Sequence, residues 1–259
     1  YDNIEELTPD MRGNYMKANY LRANQLIANG SYRDAMQCLK AASFYAERNS
    51  PVSQLSSYWL AQSQYRSGNY KDAANSFTDL YNQSALDYRE EGKAIPYDLA
   101  YCYFDLGDYQ NAAKWFNVYN NSGAKDFLKD AMTRVADCSF IAKDYPAAIS
   151  LYENLLAKFD DANDVYPYYQ LGLSYGLDRN DKKKLEALSR VKSASPDAML
   201  YSDALYELGR TYIATKDQKN AADCFTMLKD KSKDNNFVAK ALIELGMISR
   251  NASRYDEAL

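Results

Sequence analysis

The hydrophobic residues of this 259-residue chain follow a pattern that repeats along its whole length. A small residue, preceded by an apolar one in every copy after the first, returns every 36 to 39 residues. The small residues are Ala23, Ala61, Ala100, Ala136, Gly172, Gly209 and Gly246. A period of this length holds two helices and two short connections. The pattern therefore predicts a tandem array of helical hairpins, with each small residue where two helices approach closely.

A second phrase, Gly-x-Tyr-x-x-Ala, begins seven residues after the small residue and predicts the turn of each hairpin. Copies of it begin at Gly30, Gly68, Gly107, Lys143 and Ser253. Gly tolerates the left-handed conformation that ends a helix, and the Tyr begins the buried face of the second helix. A large apolar residue follows the Ala four positions later, on the same helical stripe. These large residues are Leu39, Phe77, Phe116, Tyr152 and, after Ala221 in a weaker copy, Phe225.

Together these residues resemble the tetratricopeptide repeat (TPR), which has Leu-Gly in its first helix, Tyr three residues later, and then the turn phrase. Leu208-Gly209 with Tyr212 is one of the clearest copies. The resemblance implies an all-α fold, a right-handed α-α superhelical solenoid of about six complete hairpins plus a truncated seventh. The expected single solenoid spans 1–259, with approximate repeats 9–47, 52–90, 94–124, 127–160, 165–196, 198–232 and 237–259.

Several repeats depart from the family pattern. The fifth has Asp181 and Lys184 in place of the turn Tyr and Ala, so it is expected to be the least regular. The period exceeds the family's 34 residues, and polar segments such as 48–51 and 90–93 predict extended second helices or loops.

Stretched repeats resemble those of bacterial cell-envelope proteins. We therefore expect the protein in the bacterial periplasm or cell envelope, with the cytoplasm as the alternative. Because the seventh hairpin stops where its second helix should begin, further repeats or another domain are expected to follow.

Composition argues against an enzyme or a metal protein. The chain has no histidine, the commonest general base and metal ligand. Its four cysteines, Cys38, Cys102, Cys138 and Cys224, form no Cys-x-x-Cys pair. We therefore expect no catalytic residue, no metal, no cofactor and four free thiols.

Charge and hydropathy narrow the class of partner. The formal charge of −4 comes from acidic and basic residues mixed along the chain, which does not favour nucleic acid. No run reaches the roughly 18 apolar residues that a membrane-spanning helix needs. A protein or peptide partner is the remaining expectation.

The resemblance to TPR proteins implies a concave groove lined by the first helices, where members of the family bind peptides. Residues three before, one after and four after each small residue share one side of the first helix, called here the first-helix face. The candidate binding residues on this face are Tyr20, Asn24, Tyr58, Gln62, Tyr65, Tyr97, Tyr101, Phe104, Asp137, Phe140, Tyr169, Tyr206 and Arg210. Tyr fills the first position in five of the six complete repeats, which predicts a tyrosine ladder. Such a ladder either binds a ligand or packs against the adjacent hairpin, and the sequence leaves both interpretations open.

The predicted function is a non-catalytic protein–protein interaction scaffold that binds a partner in this groove. The alternative is a sensory or regulatory TPR region of a larger signalling protein or enzyme, whose effector domain lies outside this segment. One subclass of the family grips a C-terminal carboxylate with Lys and Asn one turn apart on the first repeat. Tyr20 and Asn24 stand at those positions, so the missing lysine argues against a clamp of that type.

Overall fold

The computed structural model describes residues 8–84, 86–87, 89–161 and 163–251. Within these residues the chain forms thirteen α-helices and one 3-10 turn, Arg190–Ser193, and no β-strand. The helices are α1 (Pro9–Ala28), α2 (Tyr32–Tyr45), α3 (Pro51–Arg66), α4 (Tyr70–Asn82), α5 (Glu90–Asp105), α6 (Tyr109–Asn120), α7 (Leu128–Ile141), α8 (Tyr145–Lys158), α9 (Val165–Leu177), α10 (Asp181–Ser189), α11 (Tyr201–Ala214), α12 (Gln218–Lys231) and α13 (Asn235–Asn251).

The turns inside the hairpins share one backbone geometry. Gly30, Gly68 and Gly107 adopt left-handed φ angles of 75°, 81° and 76°. The residue after each glycine donates its N–H to a carbonyl five positions back, which closes the end of the first helix. Lys143 and Lys216 adopt the same left-handed conformation without glycine, each with φ of 62°. The turns predicted at Gly30, Gly68, Gly107 and Lys143 are therefore confirmed, and Lys216 forms a further turn of the same kind.

Polar side chains begin several of the second helices immediately after these turns. The carboxylate of Asp108 accepts the N–H of Asn111 at 3.2 Å, and Asp144 accepts the N–H of Ala147 at the same distance. Asp217 caps α12 in the same way through the N–H of Asn220. Such caps satisfy an N–H group that the helix itself leaves unpaired. Each short turn thus both ends one helix and starts the next.

The chain divides into two compact units, of which unit 1 comprises residues 1–138. Its described part contains the hairpins α1/α2, α3/α4 and α5/α6, followed by α7 as far as Cys138. The small residues Ala23, Ala61 and Ala100 are fully buried, as are the large residues Phe77 and Phe116, and Ala61 packs in one cluster with Phe77. The repeated residues that define the sequence pattern therefore lie in the core of unit 1.

Unit 2 comprises residues 139–259, and its helices are α8 to α13. α9 packs against α10, and α11 packs against α12. One continuous apolar cluster runs from Val165 through Leu208 and Phe225 to Ala241 and Ile248. The first helix of the seventh repeat is α13, whereas the turn and second helix expected at Ser253, Tyr255 and Ala258 lie outside the described residues.

Two glycines in unit 2 permit the close helix approach that the pattern predicts. A Cβ atom on Gly172 would lie 2.6 Å from Cδ2 of Leu188. A Cβ atom on Gly209 would lie 2.7 Å from Cζ of Phe225. Both distances are shorter than real Cβ contacts, so a side chain at either position would force Leu188 or Phe225 to shift from its packed position.

Replacing Gly209 with Ala is therefore expected to lower the free energy of unfolding by about 1–3 kcal/mol, because overpacking outweighs the better helix propensity of Ala. The matched control is Gly13→Ala in α1, where nothing lies within 4 Å of the added Cβ. That change should stabilise the protein by about 0.5–1 kcal/mol. Urea unfolding followed by circular dichroism measures both, and stabilisation by Gly209→Ala would show that the hairpin is not closely packed there.

Two elements differ from the regular pattern. Residues 90–93, assigned from the sequence to an extended second helix or loop, form the first turn of α5. In the fifth repeat α10 has only nine residues and continues as the 3-10 turn. Here Lys184 replaces the usual Ala, and its side chain lies against Gly176, where an added Cβ would be 2.9 Å from Cδ of Lys184. The fifth repeat is thus irregular, as predicted.

Candidate functional site

The hydroxyl of Tyr58 joins α3 to α5 through a carboxylate. Tyr58 is buried and donates to Oδ2 of Asp98 at 3.0 Å, while Nε2 of Gln62 donates to the Tyr58 hydroxyl at 3.1 Å. Burial raises the pKa of Asp98 to about 6, although the hydrogen bonds from Gln62 and Tyr58 favour its ionised form. Burial and the nearby charge of Asp98 also raise the pKa of Tyr58. Tyr58 and Gln62, two of the three predicted residues of this repeat, therefore belong to one network.

A second tyrosine–carboxylate pair lies two turns further along the same helices. The hydroxyl of Tyr65 donates to Oδ2 of Asp105 at 2.6 Å. Tyr65 is half-buried and Asp105 is exposed. Tyr58 and Tyr65 are seven residues apart, as are Asp98 and Asp105, so each helix presents its two residues on one side. Because Asp105 is exposed, its carboxylate remains accessible to solvent.

Between α5 and α7 one carboxylate serves two tyrosines. The hydroxyls of Tyr97 and Tyr101 both donate to Oδ2 of Asp130, the former at 2.9 Å. Nε of Arg134 donates to the Tyr101 hydroxyl at 3.1 Å, and Nη1 of Arg134 donates to Oδ2 of Asp137 at 2.8 Å. Asp137 is buried, so its charge is balanced by an arginine on the same helix. The two predicted tyrosines and Asp137 are thus brought together by Arg134.

Aromatic rings form a layer beneath this network. The rings of Tyr97 and Tyr101 lie 5.0 Å apart, and the Tyr101 ring meets Phe116 edge to face at 5.1 Å. Phe104 lies 6.3 Å from Tyr101, and the Arg134 guanidinium lies 5.7 Å above the Phe104 ring. Such contacts hold rings in fixed orientations. The predicted residues of the third repeat therefore form a rigid aromatic surface on α5.

The first repeat contributes less to this arrangement. Tyr20 packs against the cluster of Ala23, Ala35 and Leu39, whereas Asn24 is exposed on α1. These two positions are the ones at which the carboxylate clamp of some family members would need Lys and Asn.

In unit 2 the same kind of pair links α11 to α13. The Tyr206 hydroxyl donates to Oε1 of Glu244 at 3.2 Å, and Arg210 forms an ion pair with the same oxygen at 3.5 Å. Nζ of Lys240 lies 5.5 Å above the Tyr206 ring. Tyr206 and Arg210 line a cavity of about 350 Å³ that Lys184 also borders.

The other two predicted residues of unit 2 lie in different surroundings. Tyr169 is half-buried against the apolar cluster, and burial, followed by the charges of Asp203 and Glu207, raises its pKa. Phe140 contacts Tyr145 at 5.8 Å. Of the predicted residues in unit 2, only Tyr206 and Arg210 are joined in one network.

The carboxylates that accept these tyrosine bonds were missed by reasoning from the sequence. Asp98 and Glu244 each lie two residues before the small residue of the repeat that follows their tyrosine. A search for acidic residues at that position would have found both. Asp130 lies six residues before Ala136 and not two, so a search at that repeated position would not have found it.

Replacing Asp130 with Ala is expected to lower the free energy of unfolding by about 1–3 kcal/mol, because Tyr97, Tyr101 and Arg134 all lose a partner. The control is Asp105→Ala, which removes one exposed acceptor and should cost less than about 1 kcal/mol. Thermal unfolding of both variants tests the difference, and equal losses would mean that the shared carboxylate has no special role.

All four cysteines are free thiols, and burial raises the pKa of Cys138 to about 12. In the part of the chain that the structure describes, no three Cys, Asp or Glu side chains are placed to hold a metal ion. Among the same residues no helix is both long enough and apolar enough to cross a membrane.

Comparison with known families identifies the repeat. Tetratricopeptide repeat models match residues 20–84 and 79–126, and a further one matches residues 203–235. Together the matched ranges cover more than half of the chain. No functionally curated protein matches the sequence.

Solved structures of repeat proteins share the fold. The C-terminal part of a TPR repeat-containing protein from Cytophaga hutchinsonii is similar with a TM-score of 0.71 and 14% identity, over 92% of each chain. A tetratricopeptide repeat protein from Parabacteroides merdae has a TM-score of 0.64 and 15% identity, over 95% of this chain and 90% of that one. YrrB, described as a TPR protein with an unusual peptide-binding site, has a TM-score of 0.54 and 16% identity, over 73% of this chain and 91% of its own. The predicted all-α fold of TPR hairpins is therefore confirmed.

Proposed function

Because this chain belongs to the tetratricopeptide repeat family, we propose that it is a non-catalytic scaffold that binds a protein or peptide segment along its first-helix face. The observation that carries this proposal is the set of tyrosine–carboxylate bonds in unit 1, which hold aromatic rings in place on α3 and α5. A face that is ordered before its partner arrives loses little side-chain entropy on binding. Tyr rings combine large contact area with low entropic cost, which is why they are frequent in binding hot spots.

The hydrogen bonds also restrict how a partner can be recognised. The hydroxyls of Tyr58, Tyr65 and Tyr101 are donated to carboxylates of this chain. A partner would therefore contact the half-buried rings of Tyr65 and Tyr101, together with exposed acceptors such as Asp105 and the amide of Asn24. This arrangement favours a segment that offers apolar side chains and hydrogen-bond donors, and the fold shared with YrrB is consistent with a peptide.

We also propose that the chain binds its partner without catalysing a reaction. The chain lacks histidine, and the carboxylates Asp98 and Asp130 are engaged by tyrosine hydroxyls. A general base must reach its substrate's proton, and these carboxylates are directed at this chain's own hydroxyls instead. The geometry therefore supports a binding surface in preference to a reaction site.

A random peptide library displayed on phage tests the proposal even though the natural partner is unidentified. Peptides selected on the parent chain should shift amide signals of the first-helix face in ¹⁵N-resolved NMR spectra. The variant Asn24→Arg with Asp105→Arg should lose at least ten-fold in affinity for them.

The matched control is Asn75→Arg with Asp79→Arg, which makes the same change in charge at exposed positions of the second helix α4. This control should bind like the parent. Equal loss in both variants, or signals that shift only on the second helices, would contradict binding at the first-helix face.

A further inference from the structure

Unit 1 contains a cavity of about 920 Å³ beside the first turn of α5. It is lined by Tyr58 of α3, Ala94 of α5, Tyr119 of α6 and the connection 122–127 that leads to α7. Pockets that bind small ligands commonly measure roughly 300–1,000 Å³. Tyr58 belongs both to the lining of this cavity and to the first-helix face, so the cavity adjoins that face.

An exposed aromatic ring stands in the wall of this cavity. Phe127 is 48% exposed, although a large apolar side chain is ordinarily buried. Its ring stacks on Tyr97 with centroids 4.8 Å apart and an interplanar angle of 19°. Its backbone N–H donates to the Tyr119 hydroxyl at 3.3 Å, and the Tyr119 ring lies 5.2 Å from Tyr97. One side of Phe127 is therefore supported by protein, while about half of its surface is left to solvent.

Charged residues surround the opening in equal numbers of each sign. The cations Arg89, Lys93 and Lys125 are matched by three anions, Glu90, Glu91 and Asp126. Nε of Arg89 lies 3.2 Å from Glu91, and Nζ of Lys93 lies 2.7 Å from Glu90. Because these charges neutralise one another, the rim does not attract a strongly anionic or cationic group.

An aromatic wall inside a polar rim is the arrangement of an anchor pocket at a protein interface. We propose that this cavity receives a bulky apolar side chain, preferably aromatic, from the segment that binds unit 1. This inference rests on the proposed function and specifies the partner's chemistry. The entering ring stacks on the open side of Phe127, extending the stack that Tyr97 begins, while the adjacent peptide groups meet the polar rim.

The direct test titrates N-acetyl-L-tryptophanamide into the isotope-labelled chain and follows the signals of Ala94, Ala124 and Phe127. N-acetyl-L-lysinamide and N-acetyl-L-glutamine amide are the comparison probes. We expect saturable shifts at these residues with the tryptophan probe, at least ten-fold weaker binding of the other two, and a loss of at least five-fold in Phe127→Ala. Phe44→Ala, which removes an exposed ring in α2, should bind the tryptophan probe like the parent.

If Phe127→Ala disturbs the packing of the Tyr97 ring on which Phe127 stacks, a second variant still tests the inference. Ala124→Trp places a large ring at the cavity and should abolish binding while Phe127 is retained. Equal binding of the three probes, or unchanged binding in Ala124→Trp, would overturn the inference.

The phage-selected peptides separate this inference from the proposed function. If they bind the first-helix face and lose affinity in Phe127→Ala, both stand. If they bind that face with unchanged affinity in Phe127→Ala, the anchor pocket is wrong and the scaffold function stands. If no peptide binds although the tryptophan probe does, the proposed function fails and so does the cavity's role as an anchor.

Discussion

Replacing Phe116 with Ala is expected to lower the free energy of unfolding by about 3–5 kcal/mol, the usual cost of deleting a buried ring. Phe116 is fully buried in α6, and its ring lies 5.9 Å from Tyr97, 5.1 Å from Tyr101 and 6.5 Å from Phe104. The change would leave a void under the aromatic residues of α5. Urea unfolding followed by circular dichroism measures the loss, and peptide titration should show weaker binding at the first-helix face.

The control for this prediction is Phe44→Ala. Phe44 is 79% exposed on α2, so its removal should change the free energy of unfolding by no more than about 0.5 kcal/mol. Similar effects of the two substitutions would contradict the packing described for unit 1. A large loss of stability with unchanged peptide affinity would show that the aromatic layer supports the fold but not the binding surface.

Replacing Asp98 with Asn is expected to stabilise the protein by about 2–3 kcal/mol at pH 7.5 and to have little effect near pH 3. The pKa of Asp98 is raised from 3.8 to about 6 in the folded chain, chiefly by burial. The folded state therefore holds this proton more tightly than the unfolded state does. The favourable contribution of Asp98 to the free energy of unfolding is fully present below about pH 4 and is lost as the pH rises through about 6. Asn keeps an acceptor for Tyr58 and carries no charge, so it avoids this loss.

Carboxyl ¹³C signals followed as a function of pH give the titration midpoint of Asp98 directly. Tyr58→Phe should move that midpoint upwards, because the Tyr58 hydroxyl favours the ionised carboxylate. A midpoint near the ordinary value of about 4, or a stability difference between Asp98→Asn and the parent that does not vary with pH, would contradict the burial assigned to this group.

The tyrosines of the ladder pack and form hydrogen bonds within the chain, whereas recognition of a partner by them stays a prediction. The hydroxyls of Tyr97 and Tyr101 are engaged by Asp130 and cannot be counted as free donors for a partner. Their rings remain half-buried, so part of each ring surface is still open. The structure thus describes how the ladder packs, and the peptide experiments address whether it also binds.

The repeated phrase by itself determined the hairpins, their turns and the residues at which helices approach closely. These features are local: a left-handed residue ends a helix within a few positions, and a small residue is needed wherever the neighbouring helix is near. The turns at Lys143 and Lys216 follow the pattern without glycine, because the surrounding helices and the caps at Asp144 and Asp217 define the same geometry. Irregularity of the fifth repeat was also predictable from Lys184.

Only the tertiary structure decided the start of α5 at Glu90, the sharing of Asp130 by two tyrosines and the cavity beside Phe127. Asp98 and Asp130 are 29 to 40 residues away in sequence from the tyrosines that they bind. They contact these tyrosines because one first helix stacks on the next. Phe127 lies in a connection with no repeated residue, so no periodicity marks it. Periodic patterns specify which sides of helices are buried, whereas a hydrogen-bond partner or a cavity depends on the distance and rotation between helices that come together only in the folded chain.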